Sequence, residues 1–201
     1  MDHLIHAGGS DAEQRAALGE IIRAQPVLMR ILKGMRRLDL PDPLLVSGAI
    51  YNCVWNVLTE RAPLHGVKDV DVAYFDDTDL SYDAEDRVIR AAAEEFGDIP
   101  LPIEVRNQAR VHLWFPDRFG SPYPKLNCSA DMLTRFASKT HAVGMRLAGE
   151  GDALEMFAPF GLDDMFSFRL TPNYALDNRE THTAKAERIK MLWPEVTVVP
   201  W

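Results

Sequence analysis

The sequence is short of several features that mark large functional classes. Cysteine is scarce: Cys53 and Cys128 are the two in the chain, far apart and in no CxxC spacing. That excludes a disulfide framework and a cysteine-built zinc site, and it fits a reduced, cytoplasmic protein with two structural thiols. Histidine is scattered at positions 3, 6, 65, 112, 141 and 182, with neither HExxH nor paired His/Cys spacing, so zinc chemistry is not expected. Long apolar runs are missing too. Leu44-Leu45-Val46 shows how soon such runs stop, far below the roughly 20 residues that span a bilayer. The Met-Asp-His-Leu-Ile-His start has no basic region followed by a long apolar one, so no secretory signal is expected. Positive charge is in deficit, with 22 Lys and Arg against 30 Asp and Glu for a net charge of −8. Such a field repels polyanions and anionic membranes. GxSxG, a Walker A loop and GxGxxG are all absent, which disfavours serine hydrolase, P-loop and dinucleotide-binding chemistry.

What is present is an ordinary globular composition over 201 residues, 47% hydrophobic and 26% charged, enough to fold around its own core. Ser10-Asp11-Ala12-Glu13 is a capping-box pattern ahead of Ala17, Leu18, Ile21 and Ile22, which share one helical face. Pro26 opens a second helix carrying Val27, Leu28, Ile31, Leu32 and Met35. Residues 1–40 therefore read as an N-terminal helical hairpin and residues 41–201 as the main domain, the whole forming one compact unit. In that domain Leu44–Ser47 is a buried strand, and Gly48 leads into a helix over about 50–59. Asp69–Phe75 is a strand. Ser81 caps a helix that Gly97 closes, and Ile103-Glu104-Val105 is a third strand. Two further strands, 142–147 and 154–157, form a hairpin, and a last helix covers 182–192.

The chemistry-bearing pattern is a set of carboxylates. Asp69 and Asp71 stand two residues apart on one strand, so both leave the same face while Val70 and Val72 point to the core. Like charges placed side by side call for a hard cation, and Mg²⁺ accepts carboxylates together with substrate phosphates. Glu104, flanked by Ile103 and Val105, supplies a third carboxylate from a neighbouring strand. The bland alternative is an Asp-x-Asp decorating the solvent face of an edge strand. Upstream, Ser47-Gly48 lies between strand and helix, where a missing Cβ lets backbone amides approach phosphate.

The order strand-Ser-Gly-helix, Asp-x-Asp strand, apolar-Glu-apolar strand resembles the DNA polymerase beta nucleotidyltransferase superfamily. The stretches Gly48–Asn56, Lys68–Asp71, Glu104–Trp114 and Ala158–Asp164 resemble more closely a bacterial family of nucleotidyltransferase-like proteins within it. The chain departs from the superfamily turn in that serine precedes glycine. The interval from Gly48 to Asp69 is longer than usual, and the third acid is Glu rather than Asp. The resemblance implies an α/β fold with a small mixed β-sheet of the polymerase-beta-like type and helical additions at both ends. It also implies metal-dependent transfer of a nucleotidyl group from an NTP to a hydroxyl. Asp69, Asp71 and Glu104 are the implied catalytic and metal-binding residues, with Mg²⁺ or Mn²⁺. Ser47, Gly48, Asn52, Lys68 and Arg106 are the candidate nucleotide-binding residues, an ordinary exposed cation being the alternative for the two basic ones. Net charge favours a small-molecule or protein acceptor over a long nucleic acid. A competing reading is a nucleotide-binding or protein-interaction module that kept the fold and lost turnover. Tyr51 and Trp55 sit i, i+4 on one helix face, which favours core packing over a base-stacking wall with Trp114, Phe115, Phe157 and Phe160. Asn107 and Gln108 are read either as base or acceptor contacts or as partners of buried backbone groups.

Overall fold

Leu44, Leu45 and Val46 are apolar at successive positions, the composition of a strand covered on both faces. In the computed structural model, which describes residues 2–201, they form β1 (Leu44–Val46) at the centre of a mixed sheet. Its other strands are β2 (Val70–Tyr74), β3 (Ile103–Asn107), β4 (Gly144–Ala148) and β5 (Ala153–Phe157), in the order β3-β2-β1-β4-β5. The parallel pair β2 and β3 is joined by the crossover helix α4 (Tyr82–Glu95), and the remaining pairs are antiparallel. This is the expected α/β fold, and β2 lies inside the sheet rather than at its edge.

The two faces of the sheet differ. Leu45, Val70, Val72, Tyr74, Val105 and Met145 face the main core, beneath α1 (Asp11–Arg23), α2 (Pro26–Arg37) and α3 (Gly48–Leu58). Leu44, Val46 and Ala73 belong instead to a smaller apolar cluster with Leu126, Met132, Leu133 and Ala142 on the opposite face. The capping box forms as expected: Glu13 N–H donates to Ser10 Oγ at 3.3 Å, and Ser10 N–H donates to Glu13 Oε2 at 2.9 Å. The basic end of α2 makes tertiary contacts, Lys33 to Asp152, Arg37 to Glu95 and Arg36 to the Glu150 and Gly151 carbonyls.

Some element ends differ from the sequence expectation. The C-terminal helix α7 (Arg179–Leu192) starts three residues earlier than 182, after Asn178, which makes no side-chain cap. Gly97, expected to close α4, does not enter the left-handed region; the buried Phe96 caps that helix. A helix α5 (Val111–Phe119) and the four-residue α6 (Asp163–Phe166) follow β3 and β5, and β6 (Arg169–Leu170) pairs with β7 (Thr197–Val198).

The C-terminal segment is fastened to α3 through two buried indoles. Trp55 donates Nε1–H to the Met165 carbonyl at 2.9 Å. Trp193 donates to Asn56 Oδ1 at 3.0 Å, and Asn56 Nδ2 donates to the Pro63 and His65 carbonyls at 3.1 and 2.9 Å. One buried amide thus satisfies three backbone or ring groups. Asn56→Ala is expected to cost about 3 kcal/mol by leaving them unpaired, against about 1 kcal/mol for Ser10→Ala at the exposed cap. Urea unfolding of both variants checks this, and equal midpoints would contradict it.

Candidate active site

The site is built from the face of the sheet turned away from the main core. In the parallel β2–β3 ladder Asp71 stands opposite Glu104 and Ala73 opposite Arg106, and in the antiparallel β1–β2 ladder Val46 stands opposite Asp71. Residues opposite one another in a ladder share a face, so Asp71, Glu104 and Arg106 emerge together. They line one cavity of about 270 Å³ with Ser47, Gln108, Arg135, Asn178 and Lys185. Trp114, Phe115, Tyr123 and Phe136 supply aromatic wall, and burial pushes the Tyr123 phenol up to about 12.

Ser47 is the single residue between β1 and α3, with φ +55° and ψ −108°. Its N–H donates to the Val143 carbonyl at 2.9 Å and its own carbonyl accepts from Ile50 and Tyr51. It makes no side-chain cap on α3, so among the described residues the amides of Gly48 and Ala49 have no protein acceptor. A Cβ at Gly48 would meet nothing within 4 Å: the protein itself does not demand glycine there, and space stands open at the helix N-terminus.

Asp71 reaches water but sits among dense protein, as at the floor of an open cleft. Desolvation, with the like charges of Asp69 and Glu104, pushes its carboxyl up to about 6, while Lys185 and Arg106 pull it back. Lys185, on α7, is lowered by desolvation and raised by Asp71 and Asp69. Glu104 has Arg106 at 3.7 Å. Among the described residues neither the Asp69 nor the Asp71 carboxylate has a hydrogen-bond or ion-pair partner, and no three carboxylates, histidines or cysteines close on one metal-sized point.

Residues 33–198 match the nucleotidyltransferase family. The chain belongs to that family. A structure determined by NMR and described as revealing "a CCA-adding enzyme head domain" is similar at 26% identity and a TM-score of 0.72. The alignment covers 92% of this nucleotidyltransferase-family chain and 95% of that one. No curated protein matches the chain.

The sequence-derived candidates separate in the fold. Ser47, Asp71, Glu104 and Arg106 line the cavity. Asp69 precedes β2 and is exposed, outside the lining although close enough to act on Asp71. Lys68 is exposed beside it and also outside the lining. Asn52 is buried in α3 with its Oδ1 unpartnered, away from the lining. Of the amide pair, Asn107 satisfies backbone, donating to the Asp76 carbonyl at 2.8 Å and accepting from the Asp76 and Ala109 amides, and Gln108 lines the cavity while donating to the Arg106 carbonyl at 3.3 Å. Arg110 is likewise structural, paired with buried Glu85, which also accepts from the Asn107 amide at 2.8 Å. Tyr51 and Trp55 pack in the core, and Trp114 and Phe115 line the site. Sequence reasoning missed Arg135, Asn178 and Lys185. The buried stripe His182, Ala186 and Ile189 on α7 marks Lys185 as a neighbour of the core-facing side, a signal too weak to select it.

The crowding at Asp71 has a pH signature. With a folded pKa of about 6 against 3.8, the native state holds a proton that the unfolded chain has released between those values. Asp71 therefore costs increasing stability as pH rises through that window. In metal-free buffer Asp71→Asn is expected to match the parent near pH 3.5 and to exceed it by ~1 kcal/mol above about pH 6.5, a figure reduced for solvent screening. Melting curves across pH check this, and a mutant that melts lower at neutral pH would give Asp71 a scaffold role instead.

Proposed function

We propose that the protein transfers a nucleotidyl group from an NTP to a hydroxyl acceptor, with Mg²⁺ or Mn²⁺ as its metal. The observation that carries this reading is the pairing of Asp71 with Glu104 in register on a cavity face that Ser47 also lines, α3 starting at the next residue with its first amides unpaired. The donor set suits a hard cation: all three side chains are carboxylates, and Asp69 and Asp71 are unengaged by protein. That no three of them close on one point suits Mg²⁺ in particular, which takes one or two carboxylates and completes its shell with phosphate and water. Asp71 and Glu104 would hold the ion, with Asp69 adding negative charge from outside the lining, and the ion would neutralise phosphate charge and lower the acceptor hydroxyl's pKa.

The chain's own residues divide the remaining work. The Gly48 and Ala49 amides receive phosphate oxygens at the positive end of α3, with Ser47 beside them. Arg106 holds its cation over the same face, next to Glu104. Glu104 accepts the proton from the acceptor hydroxyl as the new oxygen–phosphorus bond forms at the α-phosphorus. The α–β phosphoanhydride bond breaks, and pyrophosphate leaves. Trp114, Phe115, Tyr123 and Phe136 keep water from one side of the cavity. The similarity to a CCA-adding enzyme head domain supports nucleotidyl chemistry, and a net charge of −8 favours a small-molecule or protein acceptor over a long polynucleotide.

Incubation with each labelled NTP, Mg²⁺ or Mn²⁺ and a cell extract is expected to give a labelled product and released pyrophosphate. Asp71→Asn or Glu104→Gln should lower that turnover by about 10²-fold or more. Gly48→Val, whose Cβ meets no protein atom within 4 Å, should fold and yet weaken NTP binding by about tenfold or more. Unchanged affinity in that variant would remove the phosphate cradle. NTP binding with no pyrophosphate from any nucleotide would return the chain to the binding-module reading.

A further inference from the structure

A second cavity, about 490 Å³, opens beside the carboxylate site and shares Phe115, Arg135, Phe136, Asn178 and Lys185 with it. Arg179 joins Arg135 and Lys185 in its lining. Among the described residues, none of these three cations has a carboxylate within ion-pair distance, although acids outnumber bases in the chain by 30 to 22. Two acids on the same wall, Asp177 and Glu180, are exposed and leave the cations in excess. Arg135 is held in place from behind, since Asn178 Nδ2 donates to its carbonyl at 3.2 Å, yet its own Nε is buried with no partner. A guanidinium at a cavity wall with no carboxylate partner is free to take an anion.

We propose that this cavity is the acceptor subsite and that the acceptor is a small molecule bearing a phosphoryl or carboxylate group. The anionic group sits among Arg135, Arg179 and Lys185, and the acceptor's hydroxyl extends through the shared wall toward Asp71 and Glu104. The volume fits a compact metabolite-sized ligand, and Phe115, Phe119 and Phe136 cover its apolar part. The proposal rests on the nucleotidyl-transfer reading for its acceptor role, while the anion site itself stands on the cavity alone.

Arg179 separates the two sites, because it lines the second cavity and not the first, and it is exposed, so its replacement leaves the fold intact. Calorimetric titrations of the full chain, with and without Mg²⁺ and a non-hydrolysable ATP analogue, would use ribose 5-phosphate, gluconate and ribose as probes. Either anionic probe should bind where ribose does not, and which of them binds tells phosphoryl from carboxylate. Arg179→Glu should weaken that anion by about tenfold or more while changing the affinity for the analogue less than about twofold. No anion binding by the parent, or equal weakening of anion and analogue in Arg179→Glu, would overturn the subsite, the latter giving the cavity to the triphosphate. If neither this analogue nor those of the other NTPs bind while Arg179-dependent anion binding persists, the transfer reading falls and with it the acceptor role, and the anion site remains.

Discussion

Strand β2 has to bury Val70, Val72 and Tyr74 and keep Asp71 in reach of water, and the two-residue period of an extended chain allows one register that does both. A slip by one residue would drive the carboxylate into the main core and turn the valines out, at a cost of several kcal/mol. The rest of the site follows from that register. The parallel neighbour β3 delivers Glu104 and Arg106 to the same face, and the antiparallel neighbour β1 ends opposite Asp71, so that the chain leaves it at Ser47 and starts α3 beside the carboxylates. The ends of three strands and one helix N-terminus meet because a single alternating strand lies between two partners.

A face that gathers carboxylates works against its own stability, and the fold opposes this from behind and from the side. Behind, the other face of the sheet carries the large core of α1, α2, α3 and the tryptophans, whose burial is independent of the charges. At the side, β3 is pinned just beyond Glu104 and Arg106. Asn107 closes on the Asp76 turn, and Glu85 and Arg110 tie the strand's end to α4. Lys185 arrives from the distant α7 and, with Arg106, offsets part of the repulsion at Asp71. Such anchoring keeps the carboxylates from drifting apart, so that their mutual repulsion stays unrelieved.

The parts of this arrangement written in local chemistry were legible in the sequence. The Ser10 and Ser81 caps, the alternation at β2 and the apolar run of β1 state their structure within a few residues. The shared face of Asp71 and Glu104 follows once the two strands are taken as neighbours. Residues brought in by tertiary packing were not legible. Arg135 lies in a 3-10 turn and Asn178 at a helix start, and Lys185 reads as an ordinary exposed lysine of an amphipathic helix until α7 is placed beside the cavity. The aromatic residues divided for the same reason. Tyr51 and Trp55 on α3 declare a core face through their spacing, whereas Trp114 and Phe115 belong to a wall that exists only after α5 folds over the open face of the sheet.

The Ser47-Gly48 turn inverts the usual division of labour between its residues. Where a chain needs positive φ, glycine adopts it without a steric penalty, yet here the serine sits at φ +55° and the glycine after it keeps to negative φ. A serine in that region costs about 1–3 kcal/mol, and exchanging the two residue types would relieve it. Conformational ease therefore does not explain Gly48. What the glycine leaves is open space at its missing Cβ, at the start of α3 and with one residue between it and the end of β1 that stands opposite Asp71. The strain at Ser47, held by its bonds to Val143, Ile50 and Tyr51, turns the chain from β1 into α3 with one intervening residue. The helix N-terminus is thereby kept against the end of the strand whose partner carries Asp71. A longer, relaxed turn would move the amides away from the carboxylates, so the strained serine and the unfilled glycine serve one geometric requirement.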